Sequence, residues 1–176
     1  HGGLSLADLE NDGDFELILS DYHRDPGKGV VCYDADTLDL QWYQRHRGDP
    51  QIGLLADVNK DGILDVTTTR YSSGPVQVVD GATGLPMSGY STLTWPTHSP
   101  DTIYDIDEDG NLELLVNMDG RNSGYVRVFD MYNKSIDATL NTSANEPPFM
   151  ADVVGDEKLE IILTNPGNIV IYNGDY

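Results

Sequence analysis

The stretch that decides the fold is Asp105–Val116, with the sequence DIDEDGNLELLV. Four of its first five residues carry carboxylates, which repel one another unless a cation or open solvent screens them. Gly110 then allows a sharp turn, and the apolar segment that ends at Val116 predicts a buried β-strand. The order Asp-x-Asp-x-Asp-Gly-x-x-Glu also matches the first nine positions of a calcium-binding loop.

This acidic loop recurs at a near-constant spacing. Nine-residue segments of the same kind begin at Asp8, Asp57, Asp105 and Asp152, so their starts are separated by 49, 48 and 47 residues. Each segment leads into a predicted hydrophobic strand, at 17–19, 66–69, 114–117 and 161–164. After a turn, a second predicted strand ends in an acidic or amide residue. A period of this length is a signature of repeat architectures.

The repeats predict an all-β fold. No apolar period of 3.6 residues persists for the length of a helix, and the first two repeats are expected to continue into a further short strand, in LDLQWYQ and LPMSGYS. Units of this kind stack radially as the blades of a β-propeller. We predict a single β-propeller domain or propeller segment over 1–176, with four repeats of about 48 residues, at 1–49, 50–97, 98–144 and 145–176, the last incomplete.

Four complete units need about 192 residues at this period, and the sequence has 176. Two arrangements are compatible with that length. The first segment closes a four-bladed ring, or the units are consecutive blades of a larger propeller. We expect the units to be consecutive blades of a larger propeller.

Three of the loops contain the oxygens that calcium requires. Side chains at positions 1, 3 and 5 converge, glycine at position 6 permits the turn, position 7 gives its carbonyl and position 9 closes the cage. The predicted ligands are Asp8, Glu10, Asp12, Asp14 and Glu16; Asp57, Asn59, Asp61, Ile63 and Asp65; and Asp105, Asp107, Asp109, Asn111 and Glu113. Oxygen-only donors favour calcium over zinc or copper, and several carboxylates favour it over magnesium. The alternative for each loop is a solvated acidic turn without metal.

The fourth loop departs from this pattern. Val154 at position 3 supplies no oxygen, and Glu157 replaces the glycine at position 6. We therefore expect a degenerate hairpin there, because glutamate resists the left-handed turn that glycine allows. The sequence thus predicts about three calcium ions.

The acidity of the chain is concentrated at the loops. The net charge is −20, and 17 of the 30 acidic residues lie in the four nine-residue segments, whereas the rest of the chain has 13 acidic and 8 basic residues. This distribution favours cation binding over a uniformly acidic surface. It also excludes nucleic acid as a partner, because no basic stripe is present to contact phosphates. The sequence contains no run of 18 apolar residues, so it does not predict a membrane span.

A family resemblance supports the calcium loops. The segments ADVNKDGILDV and YDIDEDGNLELLV resemble the FG-GAP and VCBS repeats of integrin α-subunit propellers and of many secreted microbial proteins. The resemblance covers all four repeats and implies a calcium-binding β-propeller. The Phe-Gly and Gly-Ala-Pro signatures are absent, so it does not imply integrin-like ligand recognition. The segments VVCYDADTLDLQW and VQVVDGATG are also similar to the blade motif of quinoprotein propellers, in which this motif builds the blade and not the cofactor site.

The sequence contains no nucleophile elbow, phosphate loop or paired-cysteine motif, and its histidines have no metal-type spacing. We therefore expect no catalytic residues, and a module for adhesion, recognition or structural assembly. The expected partners are a protein or glycan ligand at the cell surface, and further propeller blades or an assembly partner. Two sequons, at Asn133 and Asn141, and the millimolar calcium outside cells predict an extracellular or cell-surface location.

The alternative is a calcium-dependent polysaccharide-active enzyme similar to rhamnogalacturonan lyases, or a fragment of one. Such an enzyme would bring a basic residue and calcium together on a uronate. The candidate side chains are Arg45, Arg47, Arg70 and Arg121, with Trp42 and Trp95 as residues that could stack on sugars. Because Trp42 follows the blade motif, packing between blades is its expected role. Cys32, the single cysteine, is expected to be a buried, inert thiol.

Overall fold

The computed structural model describes residues 3–21, 28–46, 50–70, 75–90, 102–118, 124–142, 144, 147–165 and 167–174, with only the backbone at 50–53, 69 and 70. Over these ranges the protein is all-β and forms four antiparallel sheets, which confirms the predicted fold class at this level. No helix in the described ranges is long and apolar enough to cross a bilayer. The chain divides into two compact units, His1–His98 and Ser99–Tyr176.

The first unit contains two sheets, each from one predicted repeat. Sheet 1 has the order β1-β2-β3-β4 and sheet 2 the order β5-β6-β7. Their strands are β1 Leu4–Ala7, β2 Glu16–Asp21, β3 Gly29–Asp34, β4 Leu40–Arg45, β5 Pro50–Ala56, β6 Asp65–Arg70 and β7 Gln77–Val79. The acidic loops connect β1 to β2 and β5 to β6, so each lies between the first and second strands of its sheet.

The second unit repeats this arrangement. Sheet 3 has the order β11-β10-β9-β8 and sheet 4 the order β12-β13-β14. The strands are β8 Thr102–Tyr104, β9 Glu113–Met118, β10 Tyr125–Asp130, β11 Ser135–Leu140, β12 Phe149–Ala151, β13 Glu160–Asn165 and β14 Asn168–Asn173. The acidic loops again connect the first strand to the second.

Two strands differ from the sequence prediction. The segment 85–91 was expected to form a strand, but its described part makes only an isolated bridge between Val79 and Pro86, and a turn follows. Proline has no N–H and cannot continue a ladder of hydrogen bonds. Conversely, β11 in the third repeat was not predicted, because Leu140 is its one buried residue and its other side chains are mostly polar or exposed.

Each unit has its core between its two sheets. We number positions from the first aspartate of each acidic loop, so that positions 10 and 11 fall in the second strand of the sheet. Successive side chains of a strand lie on opposite sides of the sheet. We call face A the side that carries position 11 and face B the side that carries position 10. In the first unit, face A of sheet 1 packs on face B of sheet 2, with the core residues Ile18, Val30, Cys32 and Trp42 on one side and Val66 and Val79 on the other. In the second unit, face A of sheet 3 packs on face B of sheet 4, with Leu115, Val126, Val128 and Leu140 against Ile161 and Leu163.

Trp42 joins the two sheets of the first unit, which confirms its predicted packing role. Its side chain is 8% exposed, and its indole Nε1–H donates a hydrogen bond to the carbonyl oxygen of Gly81 at 2.7 Å. Gly84 lies against the ring at φ +67°, and a Cβ added there would meet indole carbons at 2.6 Å. Glycine at this position therefore serves both the backbone turn and the close approach of the indole.

Gly84→Ala is expected to destabilise the first unit by about 2–5 kcal/mol, because it adds a left-handed penalty of about 1–2 kcal/mol to an overpacking penalty of about 1–3 kcal/mol. The matched control is Gly167→Ala, since Gly167 has φ +80° and no atom within 4 Å of the added Cβ. The free energy of unfolding of this control variant should fall only by the left-handed backbone penalty. Urea unfolding followed by circular dichroism measures both, and equal losses would contradict the packing argument.

Candidate metal centre

The four acidic loops share one backbone conformation. In each loop the fourth and sixth positions have positive φ, between 56° and 98°, in the pairs Asn11 and Gly13, Lys60 and Gly62, Glu108 and Gly110, and Gly155 and Glu157. Two left-handed residues separated by one residue curl the chain tightly. The curl brings loop amides within hydrogen-bond distance of the carboxylates at positions 1, 5 and 9.

Hydrogen bonds from the backbone hold this curl. The carboxylate at position 1 accepts a hydrogen bond from the amide at position 6 in every loop, at 2.9, 2.9, 3.0 and 3.0 Å in chain order. The carboxylate at position 5 accepts one from the amide at position 7, at 3.0, 2.9, 2.7 and 3.1 Å. The carboxylate at position 9 accepts one from the amide at position 2, at 2.9, 3.2, 2.7 and 2.9 Å. The acids at positions 1, 5 and 9 are therefore structural as well as candidate ligands.

The third loop brings three of its five predicted ligands together. Carboxylate oxygens of Asp105, Asp107 and Asp109 lie within 4.8 Å of one another. The Oδ1 atom of Asp105 is buried and has no hydrogen-bond partner. Glu113 is 1% exposed and its Oε2 accepts the amide of Ile106. An oxygen-only set with an unsatisfied, buried oxygen fits a hard cation such as calcium.

The electrostatics of this loop are unfavourable without a cation. Burial raises the pKa of Glu113 to about 7, and the negative charges of Asp107, Asp105 and Asp109 also raise it, against the hydrogen bond from Ile106 that lowers it. The raised pKa means that the ionised form of Glu113 is less favourable at this buried, acidic site than in water. A divalent cation at the loop would relieve that strain.

In the second loop, the carboxylate at position 9 is also buried and also has a raised pKa. Asp65 is fully buried, its Oδ2 accepts the amide of Val58, and its Oδ1 has no hydrogen-bond partner. Burial raises the pKa of Asp65 to about 7, and the charges of Asp61, Asp80 and Asp57 also raise it. Asn59 lies in the loop as predicted and donates from Nδ2 to Asp61 at 2.8 Å. Ile63, the predicted carbonyl ligand, donates its amide to Asp61.

The first loop borders a small polar cavity of about 140 Å³. Four of its predicted ligands, Glu10, Asp12, Asp14 and Glu16, line this cavity together with Asp34 and Gln41. Asp8 does not line it, because both of its oxygens accept loop amides, from Asp12 and Gly13. Burial raises the pKa of Glu16, and the charges of neighbouring carboxylates also raise it. The longer side chain of Glu10 at position 3 reaches the cavity.

The fourth loop corrects one prediction. It is not a degenerate hairpin: it keeps the hydrogen bonds of the other three, and Glu157 adopts φ 71° at position 6. Gly155 has taken position 4 instead, with φ 81°. The bonds made by Asp152 and Asp156 outweigh the left-handed penalty of a single glutamate, which is about 1–2 kcal/mol. The loop still lacks an oxygen at position 3, where Val154 is exposed.

A second acidic cluster was missed by the sequence prediction. Oxygens of Glu113, Asp130 and Asp137 lie within 4.8 Å of one another, and in the described part of the chain this cluster and the third loop are the two groups of three such ligands. Asp130 pairs with Glu113 across β9 and β10. It accepts hydrogen bonds from Asn133 and from Nδ2 of Asn111, so it orients the predicted carbonyl ligand. The signal in the sequence was the acidic or amide residue that ends the predicted strand after the turn in each repeat.

The remaining candidate side chains for catalysis or sugar binding do not come together at one site among the described residues. Cys32 is buried, as predicted, and burial raises the pKa of its thiol to about 12. Arg45 lines a cavity of about 620 Å³ beside the buried His46 and Tyr90. Arg47, Arg121, Trp95, His1, His23 and His98 lie outside the described residues, and of Arg70 only the backbone is described.

Comparison of the sequence with models of known protein families gives no match, and comparison with curated proteins gives none either. The geometry of the loops therefore stands as the main guide to function.

The pKa shifts predict an inverted pH dependence without metal. Asp65 and Glu113 titrate at about 7 in the folded protein, above their ordinary values of 3.8 and 4.5. Between those values the folded state binds more protons, so the free energy of unfolding should fall as pH rises from about 5 to about 8. Calcium takes ionised carboxylates, so saturating calcium should remove or reverse this fall.

Thermal melts in chelator and in calcium across this pH range measure the effect. Asp65→Asn is the informative variant, because its amide oxygen can still accept the Val58 amide while the titrating group is gone. Its metal-free melting temperature should change less with pH than that of the wild type. An identical slope for the two proteins would contradict the assignment.

Proposed function

We propose that the protein is a calcium-binding β-repeat module of the propeller type, in which the first three acidic loops each hold one calcium ion. The observation that carries the proposal is the third loop. Three carboxylates converge there around a buried aspartate oxygen that has no hydrogen-bond partner. The fully buried Asp65 offers a second such oxygen at the second loop.

The donor chemistry favours calcium over other cations. Each loop offers carboxylates, an amide or a backbone carbonyl, and neither a thiolate nor an imidazole, which zinc and copper prefer. Calcium accepts six to eight oxygens in flexible geometry, whereas magnesium requires a strict octahedron and retains water. Loops that mix Asp, Asn and Glu suit the more adaptable ion.

Calcium at the loops would stabilise the sheets through charge. Two carboxylates about 4 Å apart repel by roughly 1 kcal/mol in water and by several times that at a partly buried site. Three divalent ions would change the net charge from −20 to −14, and they would act where the repulsion is greatest. Each ion would also connect the end of the first strand to the start of the second.

We propose a binding or structural role outside the cell for the whole module, with a protein or glycan partner. The calcium loops support this role because weak extracellular sites of this type are filled at millimolar calcium. The hydrogen bonds of the loops support this role too. Many of the carboxylates accept amides of their own loops, so they are not available for acid–base chemistry.

Calcium titration of the melting temperature, with metal counting by mass spectrometry, tests the proposal. We expect about three ions per chain. At free calcium of about one hundred times Kd each site adds about 2.7 kcal/mol, which corresponds to about 5–10 °C in a protein of this size. Asp109→Ala should bind about two ions and show a smaller calcium-induced rise in melting temperature.

Asp156→Ala is the matched control, because Asp156 occupies the same loop position in the fourth loop and makes the same turn hydrogen bond. It should retain about three ions and the full calcium-induced rise. A stoichiometry near zero, or a melting temperature that calcium does not change, would refute the calcium sites. Release of unsaturated uronate from a glycan panel would refute the non-catalytic role.

A further inference from the structure

The third strand of sheets 1 and 3 ends in an aspartate that lies opposite the acid at loop position 9. Glu16 on β2 pairs with Asp34 on β3, and Glu113 on β9 pairs with Asp130 on β10. Residues opposite each other on antiparallel strands share one side of the sheet, and like charges placed in this way are destabilising. Each pair is therefore a place where a cation would be favourable.

The second sheet has the same arrangement. The ladder between β6 and β7 has the pair Val66 and Val79 at its loop end. The next residues in this register are Asp65 and Asp80, which therefore also lie opposite each other. Asp80 ends the third strand of its repeat as Asp34 does in the first.

The turn that follows the strand-ending aspartate is held against the acidic loop. A Cβ added to Gly81 would clash with the carbonyl oxygen of Leu64, which is loop position 8. In sheet 1 the corresponding contact is a hydrogen bond, in which the amide of Ala35 donates to the carbonyl oxygen of Phe15 at 2.8 Å. The backbone thus fixes the strand-ending aspartate beside the loop in both sheets.

Each of these two aspartates has one oxygen that the turn does not use. Oδ1 of Asp80 accepts hydrogen bonds from the amide and the hydroxyl of Thr83, at 2.8 and 2.6 Å. Oδ1 of Asp34 accepts the same two bonds from Thr37, at 2.7 and 2.9 Å. Among the described residues, no donor bonds to Oδ2 of either aspartate. Oδ1 therefore holds the turn, and Oδ2 is left for a ligand.

A buried oxygen opposite Asp80 also lacks a partner. Asp65 is fully buried, and its Oδ1 has no hydrogen-bond partner in the described part of the chain. Its Oδ2 accepts the amide of Val58 at loop position 2, so the carboxylate is turned toward the loop. Buried polar atoms without a partner are rare in native proteins. A cation between the loop and Asp80 would satisfy this oxygen and offset the repulsion of the two carboxylates.

In the first repeat, the equivalent residues surround an actual space. Asp34 lines the cavity of about 140 Å³ together with four predicted loop ligands, Glu10, Asp12, Asp14 and Glu16. One water needs roughly 10–15 Å³ of such space, so the cavity has room for an ion and for water. The strand-ending aspartate and the loop acids therefore face the same small volume.

The fourth repeat supplies a comparison within the same chain. Asn173 stands where the other repeats have a strand-ending aspartate, and it pairs with Glu160 at loop position 9. This is also the repeat whose loop has Val154 at position 3. The acid is thus present in the three repeats whose loops have an oxygen at position 3, and absent from the one whose loop does not. The pairing of Asn173 also shows that an amide at this position is compatible with the sheet.

We propose that Asp80 and Asp34 are further calcium ligands, which bind through Oδ2 at the second and first loops. Each ion then joins the third strand to the loop between the first two strands. This inference rests on the proposed calcium sites and adds to them residues from outside the loops. At the third loop, both oxygens of Asp130 accept hydrogen bonds from Asn111 and Asn133, so Asp130 positions its neighbours there.

Asp80→Asn tests the proposal, because its amide oxygen can still accept the bonds from Thr83 while the charge is removed. In competition titrations with a calcium chelator, one of the three sites should bind at least about tenfold more weakly. The melting temperature in excess chelator should rise above that of the wild type, since the repulsion between Asp80 and Asp65 is gone. A residue that only holds the turn would not combine weaker calcium binding with a more stable metal-free protein. Weaker binding together with a lower metal-free melting temperature would therefore overturn the proposal.

Asp34→Asn should weaken the first site in the same way. Asp36→Asn is the matched control, because Asp36 is exposed two residues away and does not line the cavity. This control loses the same charge and should keep three ions with affinities near those of the wild type. Asp80→Ser, whose hydroxyl can also accept the Thr83 amide, repeats the test if circular dichroism shows that the asparagine variant is unfolded.

The outcomes separate this inference from the proposed function. A wild type that binds no calcium would refute both. A wild type with three ions, and variants of Asp34 and Asp80 with unchanged affinities, would overturn this inference alone. An unchanged affinity in one of the two variants would remove that aspartate from its site.

Discussion

The structure depends on one carboxylate per repeat, buried in three repeats and half-buried in the first, at the position where the second strand begins. Asp65, Glu113 and Glu160 are all at most 2% exposed, and the equivalent Glu16 is half-buried. Each accepts the amide of the second loop residue and so fixes where the loop ends and the ladder starts. A buried charge without full compensation is costly. The cost is concentrated where the other loop carboxylates converge, which makes a cation the natural complement.

The fourth loop separates the requirements of folding from those of cation binding. It has no side-chain oxygen at position 3 and no glycine at position 6, yet it keeps the backbone conformation of the other three loops. The loop conformation therefore does not require a side-chain oxygen at position 3, although Asn59 and Asp107 each accept the amide of position 5 in their own loops. The side chains at position 3 are therefore candidate ligands, and in the second and third loops they also stabilise the turn.

The sequence was a good guide where one strand or one loop decides the outcome. The repeat spacing and the apolar segments located the second strand of every sheet, because alternation and burial there are local properties. Cross-strand effects were harder to predict. Asp130 and Asp137 come from β10 and β11, and their approach to Glu113 depends on the register between strands. The conformation of Glu157 was missed because propensity at one residue was weighed without the hydrogen bonds of its neighbours.

One repeat sequence encodes two separate kinds of interaction. Loop positions 1 to 9 carry the charges, and positions 10 to 12 carry side chains of the two faces, which are all apolar in three of the four repeats. In a repeat array, stability is the sum of what each unit contributes alone and what it gains from its neighbours. Sheet 4 has the loop with the fewest side-chain oxygens, since Val154 stands at position 3. Its stability therefore depends more on the apolar contacts that Ile161 and Leu163 make in the core shared with sheet 3.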